Sequence, residues 1–273
     1  MKSNKITDIF RSAKLAIKSK PRVAAIYLLL RVAVVVVMVA QILNKNYENV
    51  FLCILTLILF LIPSILEKRL KIELPSTLEI IILLFIFSAE ILGEIRAFYI
   101  TYPGWDTVLH TVNGFLCAAI GFALVDMLNR NERFSLYLSP LYMSIVAFCF
   151  SMTIGVIWEF FEFGMDHLFL MDMQKDTVIN QISSVALDPT MKNNAIVIKG
   201  IKDVILVTDS GQISLNLGGY LDIGLLDTMK DLAVNFIGAV IFSIIGFFYV
   251  KKRGKGKIAS QFIPKVLDTS KII

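Results

Sequence analysis

Leu226-Asp227-Thr228-Met229-Lys230-Asp231-Leu232-Ala233-Val234-Asn235-Phe236-Ile237-Gly238-Ala239 opens the last long apolar run of this 273-residue chain. A helical period puts Asp227, Asp231 and Asn235 on one face, since residues four apart lie above one another. Ionisable side chains at the mouth of a membrane helix are costly without partners, so the stretch reads as the start of a spanning helix that carries a site. The remainder of the chain has to supply the partners.

Working outward, the composition agrees with a spanning helix. Hydrophobic residues make up 56% of the chain and charged residues 18%, and the mean hydropathy is +0.73. That is too apolar for a soluble domain. Runs of about 20 apolar residues suffice to cross a bilayer as helices, and six such runs are expected, at 23–43, 50–66, 78–99, 106–128, 137–163 and 228–249. The second is short, and Pro63 is expected to kink it. The fold class is therefore all-α membrane, a six-transmembrane helical bundle. Residues 1–22 read as a basic N-terminal tail, 23–250 as the membrane domain and 251–273 as a basic, weakly ordered C-terminal tail.

Charge gives the orientation. Of the 27 Lys and Arg residues, 19 fall in the N-terminal tail, the connections after the second and fourth runs, and the C-terminal tail. The positive-inside rule then expects both termini in the cytoplasm, here of a bacterial plasma (inner) membrane. The net charge of +5 accordingly reports orientation and contact with anionic membrane lipid, not nucleic acid. Cys53, Cys117 and Cys149 each lie within an apolar run and read as packing residues.

With that topology the acidic residues gather at the extracytoplasmic ends. Glu90 and Glu94 end the third run, and a straight helix would put Glu90 roughly 13 Å below Tyr99 at 1.5 Å per residue. The turn Thr101-Tyr102-Pro103-Gly104-Trp105 leads into Asp106, His110 and Asn113, which share a stripe with Gly114 and Cys117. The fifth run carries a small-residue stripe, Ala147, Ser151 and Gly155, and ends in Glu159, Glu162, Asp166 and His167. Asp227, Asp231 and Asn235 begin the sixth. Between the fifth and sixth runs, residues 164–226 form the one large polar segment. In it Ala195 to Lys199, Val204 to Thr208 and Gln212 to Leu217 read as strands, with a hairpin turn at Asp209-Ser210-Gly211. This segment is expected to be a small extracytoplasmic β-hairpin insertion.

Carboxylates with histidine and no thiolate suit a hard or borderline divalent metal ion. Asp106, His110, Asp227 and Asp231 are the candidate ligands, and Glu159 and Glu162 the candidate general bases. Glu90, Glu94, Asn113, Asp166 and Asn235 complete the expected pocket. A network of ion pairs and helix caps, with Asp227 as a cap, is the alternative account of the same residues.

The motifs WDTVLH at 105–110, WEFFEFGMD at 158–166 and GYLDIGLLDTMKDLAVNFIGA at 219–239 resemble the bacterial inner-membrane family DUF2238, or YjdF-like. That resemblance implies a multi-pass plasma-membrane protein and no particular activity. Asp106, His110, Asp231, Asn235 and Gly238 are also similar to a VanZ-like pattern, whose link is to glycopeptide resistance and envelope lipids. Its Arg before the final Asp is not found here, and Phe242 stands where it has a second Gly. Three functions stay open: cation-dependent chemistry on envelope lipids or lipid-linked molecules, ion- or proton-coupled transport, and a membrane scaffold.

Overall fold

The computed structural model describes residues 20–70, 72–129, 138–252, 254, 256 and 259–266. The expected basic tail at 1–22 therefore lies, through residue 19, outside the described residues. The chain divides into two compact units, Gly155–Ala233 and the remainder.

In the larger unit, α1 (Pro21–Leu43) begins with proline, whose missing N–H costs nothing at a first helical turn. It ends in a tight turn in which Lys45 takes a left-handed φ of 58° and Asn46 Oδ1 accepts from the Asn49 amide at 3.2 Å, capping α2 (Tyr47–Leu59). A break at Phe60–Leu61 separates α2 from α3 (Ile62–Leu70). Pro63 enters at the second position of α3, where no amide is available for the carbonyl four residues earlier. Strand β1 (Ile72–Glu73) leads into α4 (Ser76–Phe87).

The third apolar run is not one α-helix. After α4 the chain continues as a π-helical segment, Ser88–Ile95, that contains both Glu90 and Glu94. It closes with the Arg96 amide donating to the Ile91 carbonyl, five residues back, at 3.1 Å. Ala97 then takes a φ of 55° before a short turn of helix, Phe98–Thr101. Wider turns rise less per residue, so the depth expected for Glu90 from a straight α-helix does not apply.

α5 (Trp105–Asn129) lies wholly in this unit, and α6 (Pro140–Phe169) and α7 (Leu225–Lys251) each begin or end in it. Five helical stretches among the described residues are long and apolar enough to cross a membrane: Pro21–Leu43, Tyr47–Arg69, Trp105–Asn129, Pro140–Phe169 and Leu225–Lys251. Val34, Cys53, Leu78, Leu83, Ile91 and Leu116 form one core. Ala118, Phe122, Met143, Ala147, Ala239 and Phe242 form a second.

The second core also takes Ala259 and Ile263. The Phe262 ring meets Phe115 edge-on at 5.1 Å. Strand β8 (Lys265–Val266) pairs antiparallel with β1. The expectation of a weakly ordered C-terminal tail is corrected for these residues, because small and apolar side chains three to four apart give the segment a face to bury. Beside it, Lys20 Nζ donates to Glu67 Oε1 at 2.8 Å, Glu79 Oε2 at 3.0 Å and the Leu74 carbonyl at 2.8 Å.

The smaller unit holds three two-stranded antiparallel ladders rather than a single hairpin: β2 (Val178–Ile179) with β7 (Tyr220–Leu221), β3 (Gln181–Ser184) with β4 (Ile196–Lys199), and β5 (Ile205–Thr208) with β6 (Gly211–Ser214). Asn180 Nδ2 donates to the carbonyls of Ile201 and Gly218, each at 2.9 Å, tying these ladders together. Between β3 and β4, Asp188 accepts from the amides of Thr190, Lys192 and Asn194 and from the Thr190 hydroxyl. Those bonds hold its carboxyl well below the usual range, at about 2.

Candidate functional site

The sequence around Pro103-Gly104 makes a turn in which Gly104 adopts a φ of 87°, a conformation natural to glycine. It delivers Trp105 and Asp106 to the first turn of α5, where a carboxylate is favoured by the helix dipole. One turn on, His110 Nε2 lies 3.4 Å from Asp106 Oδ1, both side chains being half-buried. Asn113, one position before the glycine of this stripe, accepts from the Cys117 thiol at 3.5 Å.

Below this pair α5 and α7 meet backbone to backbone, and α6 joins them through side-chain hydrogen bonds. A Cβ placed on Gly114 would collide with the Asn235 carbonyl oxygen, and one on Gly238 with the Thr111 carbonyl oxygen. Ser151 Oγ donates to the Gly114 carbonyl at 2.7 Å, and Asn235 Nδ2 is 3.5 Å from the Ser151 carbonyl. Glycine and serine permit this approach, which is how membrane helices gain packing without a hydrophobic driving force. Two turns further along, a Cβ on Gly246 would strike the Phe122 ring. Contacts that run from Gly114 and Asn235 to Phe122 and Gly246 have both numbers rising together, so α5 and α7 pack in parallel.

Along α7 the buried positions are Asp227, Asp231, Asn235, Gly238, Ala239, Phe242, Ser243 and Gly246. This is the stripe that the helical period predicts. Asn235 is 1% exposed, and its Oδ1 is buried with no hydrogen-bond partner. Such an atom is costly to bury and calls for a water, ion or ligand group.

In the smaller unit the carboxylates divide by role. Asp166, expected in the pocket, instead accepts from the amides of Met173 at 2.6 Å and Gln174 at 2.9 Å, closing the turn after α6. Asp227, expected as a ligand, accepts from the Lys175 amide at 2.9 Å and from Lys230 Nζ at 3.2 Å. One oxygen thus ties α7 to the loop, and the other pairs with Lys230 on the same helix. It is not the cap of α7 either: Asp222 Oδ2 accepts from the Leu226 amide at 2.8 Å. Glu162 Oε1 accepts from its own helix, from Trp158 Nε1 at 2.8 Å. Glu159 and Asp231 are buried, at 4% and 1% exposure. Glu90 is half-buried on the π-helical segment, and Glu94 is exposed there.

Two contributors were not singled out by sequence reasoning. Asp222 announces itself only by standing before a helix start, a common place for an acid. Ser151 was read as a small residue of a stripe, and its hydrogen bond across to Gly114 has no signature in spacing.

The profile of a family described as a predicted membrane protein, DUF2238, matches residues 25–252. No curated protein and no solved structure matches the chain.

Proposed function

Because the chain belongs to the DUF2238 family of membrane proteins, we propose that it is a multi-pass protein of the bacterial inner membrane that holds a divalent cation on Asp106, His110 and Asp231 and acts there on the headgroup of an envelope lipid. In this reading α4 and the π-helical segment make a sixth span beside the five long helices. Both termini are cytoplasmic, and the ladders between α6 and α7 lie outside.

The observation that carries the proposal is the parallel register of α5 and α7. Gly114 meets Asn235, and four residues back along each helix stand His110 and Asp231. One turn of α-helix rises about 5.4 Å, so each stands one turn before the crossing on its own helix, and Asp106 follows one turn later on α5. The unpartnered Asn235 Oδ1 supports a bound group near this level. Two carboxylates and an imidazole form a donor set suited to Mn, Zn or Mg. Glu159 stands two helical turns from Ser151 on α6, on the stripe that Ser151 and Gly155 share. A cation lowers the pKa of a bound water. Such a water would need a general base to hydrolyse a headgroup ester, and in this reading Glu159 would supply it.

The test is metal content of the purified protein beside Asp106→Asn, His110→Gln and Asp231→Asn, each checked for an unchanged thermal midpoint. One cation per chain, lost from all three, is the expected result. A wild-type protein that takes up no Mn, Zn or Mg on loading overturns the site. Orientation has its own check: a reporter active only in the periplasm, fused after Lys202, should be active.

A further inference from the structure

A cleft of about 180 Å³ opens between α4 and α5. Its walls are Ile81, Leu84 and Phe85 on one helix and Val108, Leu109 and Val112 on the other. Two polar groups interrupt this lining, Ser88 at the start of the π-helical segment and the indole of Trp105. The Trp105 N–H is buried and has no hydrogen-bond partner. Leu84 and Val108, on the rim, are 44% and 57% exposed, so the cleft opens on the apolar face of the helices and not into their core.

From these features we infer that the cleft holds one acyl chain of a membrane lipid, with an ester or phosphate oxygen of that lipid accepting from Trp105 Nε1. An apolar slot open to the bilayer admits hydrocarbon. The buried indole donor selects a chain that ends in an acceptor, because an unsatisfied donor in an apolar setting is costly and any oxygen that reaches it relieves the cost. Tryptophan at the end of a spanning helix belongs at headgroup level. Asp106 is the next residue and His110 is one turn further, so a lipid seated this way presents its headgroup to that pair. The inference rests on the proposed headgroup chemistry for its purpose, but the cleft and the donor stand without it. It names the substrate as a two-part molecule, chain and polar head, rather than a soluble ester.

The probe is a phosphatidylglycerol carrying a photoactivatable diazirine midway along one acyl chain. It is added in trace to vesicles of phosphatidylethanolamine and phosphatidylglycerol that contain the full chain. After irradiation, labelled peptides are quantified by mass spectrometry. Labelling of 81–88 and 105–112 should exceed that of the more exposed apolar Leu28 and Leu29 of α1, which are 64% and 67% exposed. Val112→Trp, which fills the cleft, should bring it down to the α1 level. Trp105→Phe, which keeps the ring and removes the donor, should lower it about fivefold, the equivalent of one hydrogen bond of ~1 kcal/mol. Wild-type labelling no greater than that of α1 overturns the inference, as does labelling unchanged by both substitutions in variants with wild-type thermal midpoints. Cation content is measured on the same preparations. Enriched labelling without a bound cation leaves the acyl site standing and removes the cation site; a cation without enriched labelling removes the acyl site alone.

Discussion

Gly114→Ala and Gly238→Ala probe the crossing on which the register of α5 and α7 depends. At Gly114 the new methyl meets a backbone oxygen, that of Asn235, and at Gly238 it meets that of Thr111. Neither obstacle is a side-chain tip that can swing away, so each substitution has to push the two helices apart. Overpacking in a well-packed interior costs about 1–3 kcal/mol, and with backbone on the opposing side the upper part of that range, about 2–3 kcal/mol, is expected. The two clashes share one crossing. Once one methyl has separated the helices, the second finds part of its space already made. The double variant should therefore lose about 3–4 kcal/mol, well short of the sum, a coupling of the size seen for residues in contact. Thermal unfolding in detergent can be followed with a thiol-reactive dye in a Cys149→Ser background, because Cys53 and Cys117 are buried and Cys149 is exposed. At roughly 2–4 °C per kcal/mol for a chain of this size, each single variant should melt roughly 4–12 °C lower. Strict additivity, or a Gly114→Ala midpoint equal to that of the parent, would refute the close crossing and with it the register on which the proposed cation site rests.

Three other perturbations test the frame around the site. Truncation before Ala259 removes Ala259, Phe262 and Ile263 from the second core and strand β8 from its pairing with β1, and the thermal midpoint should fall by several degrees; an unchanged midpoint would mean that the segment adds nothing to stability. Lys20→Met leaves Glu67 and Glu79 without their shared cation and should cost about 2 kcal/mol, since breaking a partly buried pair strands its partner charges. Burial opposes the charge on Lys20, yet the hydrogen bonds and charges of the two glutamates outweigh it and raise its pKa. That contribution should be complete below the ordinary lysine value of about 10.4 and lost as pH rises through the higher folded value, a loss absent from Lys20→Met. Asp188→Ala should speed amide exchange at Thr190, Lys192 and Asn194 while leaving the helices protected. In the parent, the depressed carboxyl contributes order that is complete above about pH 4 and is lost as pH falls through about 2.

How far these features can be read from sequence depends on the interaction that makes them. The apolar runs at 23–43, 106–128 and 228–249 correspond closely to Pro21–Leu43, Trp105–Asn129 and Leu225–Lys251, because length and apolarity alone specify such a helix. The buried face of α7 is legible for a similar reason: period 3.6 is a property of the backbone, so Asp227, Asp231 and Asn235 share a side in any packing. Periodicity does not say what a carboxylate on that side will meet. Asp227 and Asp231 have equal claims by spacing, and the loop amide of Lys175, 52 residues away in sequence, separates them. The π-helical segment has no local cue either, since Ser88–Ile95 contains no proline and its glycine faces the Tyr99 ring. In the C-terminal tail the basic residues obscured a usable signal, Ala259 with Phe262 and Ile263 at helical spacing.

The glycines and the ionisable residues of α5 and α7 belong to one design constraint. Carboxylates on membrane helices need partners or a wet cavity, and partners on a neighbouring helix are within reach only if the two backbones run close. Gly114 and Gly238 set that distance, and Ser151 spans the third side through the Gly114 carbonyl. At the crossing itself the space is filled by backbone. His110 and Asp231 stand one turn from the crossing along their own helices. The polar groups could not be moved to the crossing, where even a methyl collides. Nor could a larger residue replace glycine there without pushing α5 and α7 apart, so if the proposed cation site spans these helices, loss of cation binding in Gly114→Ala is expected to exceed what its stability loss alone would produce.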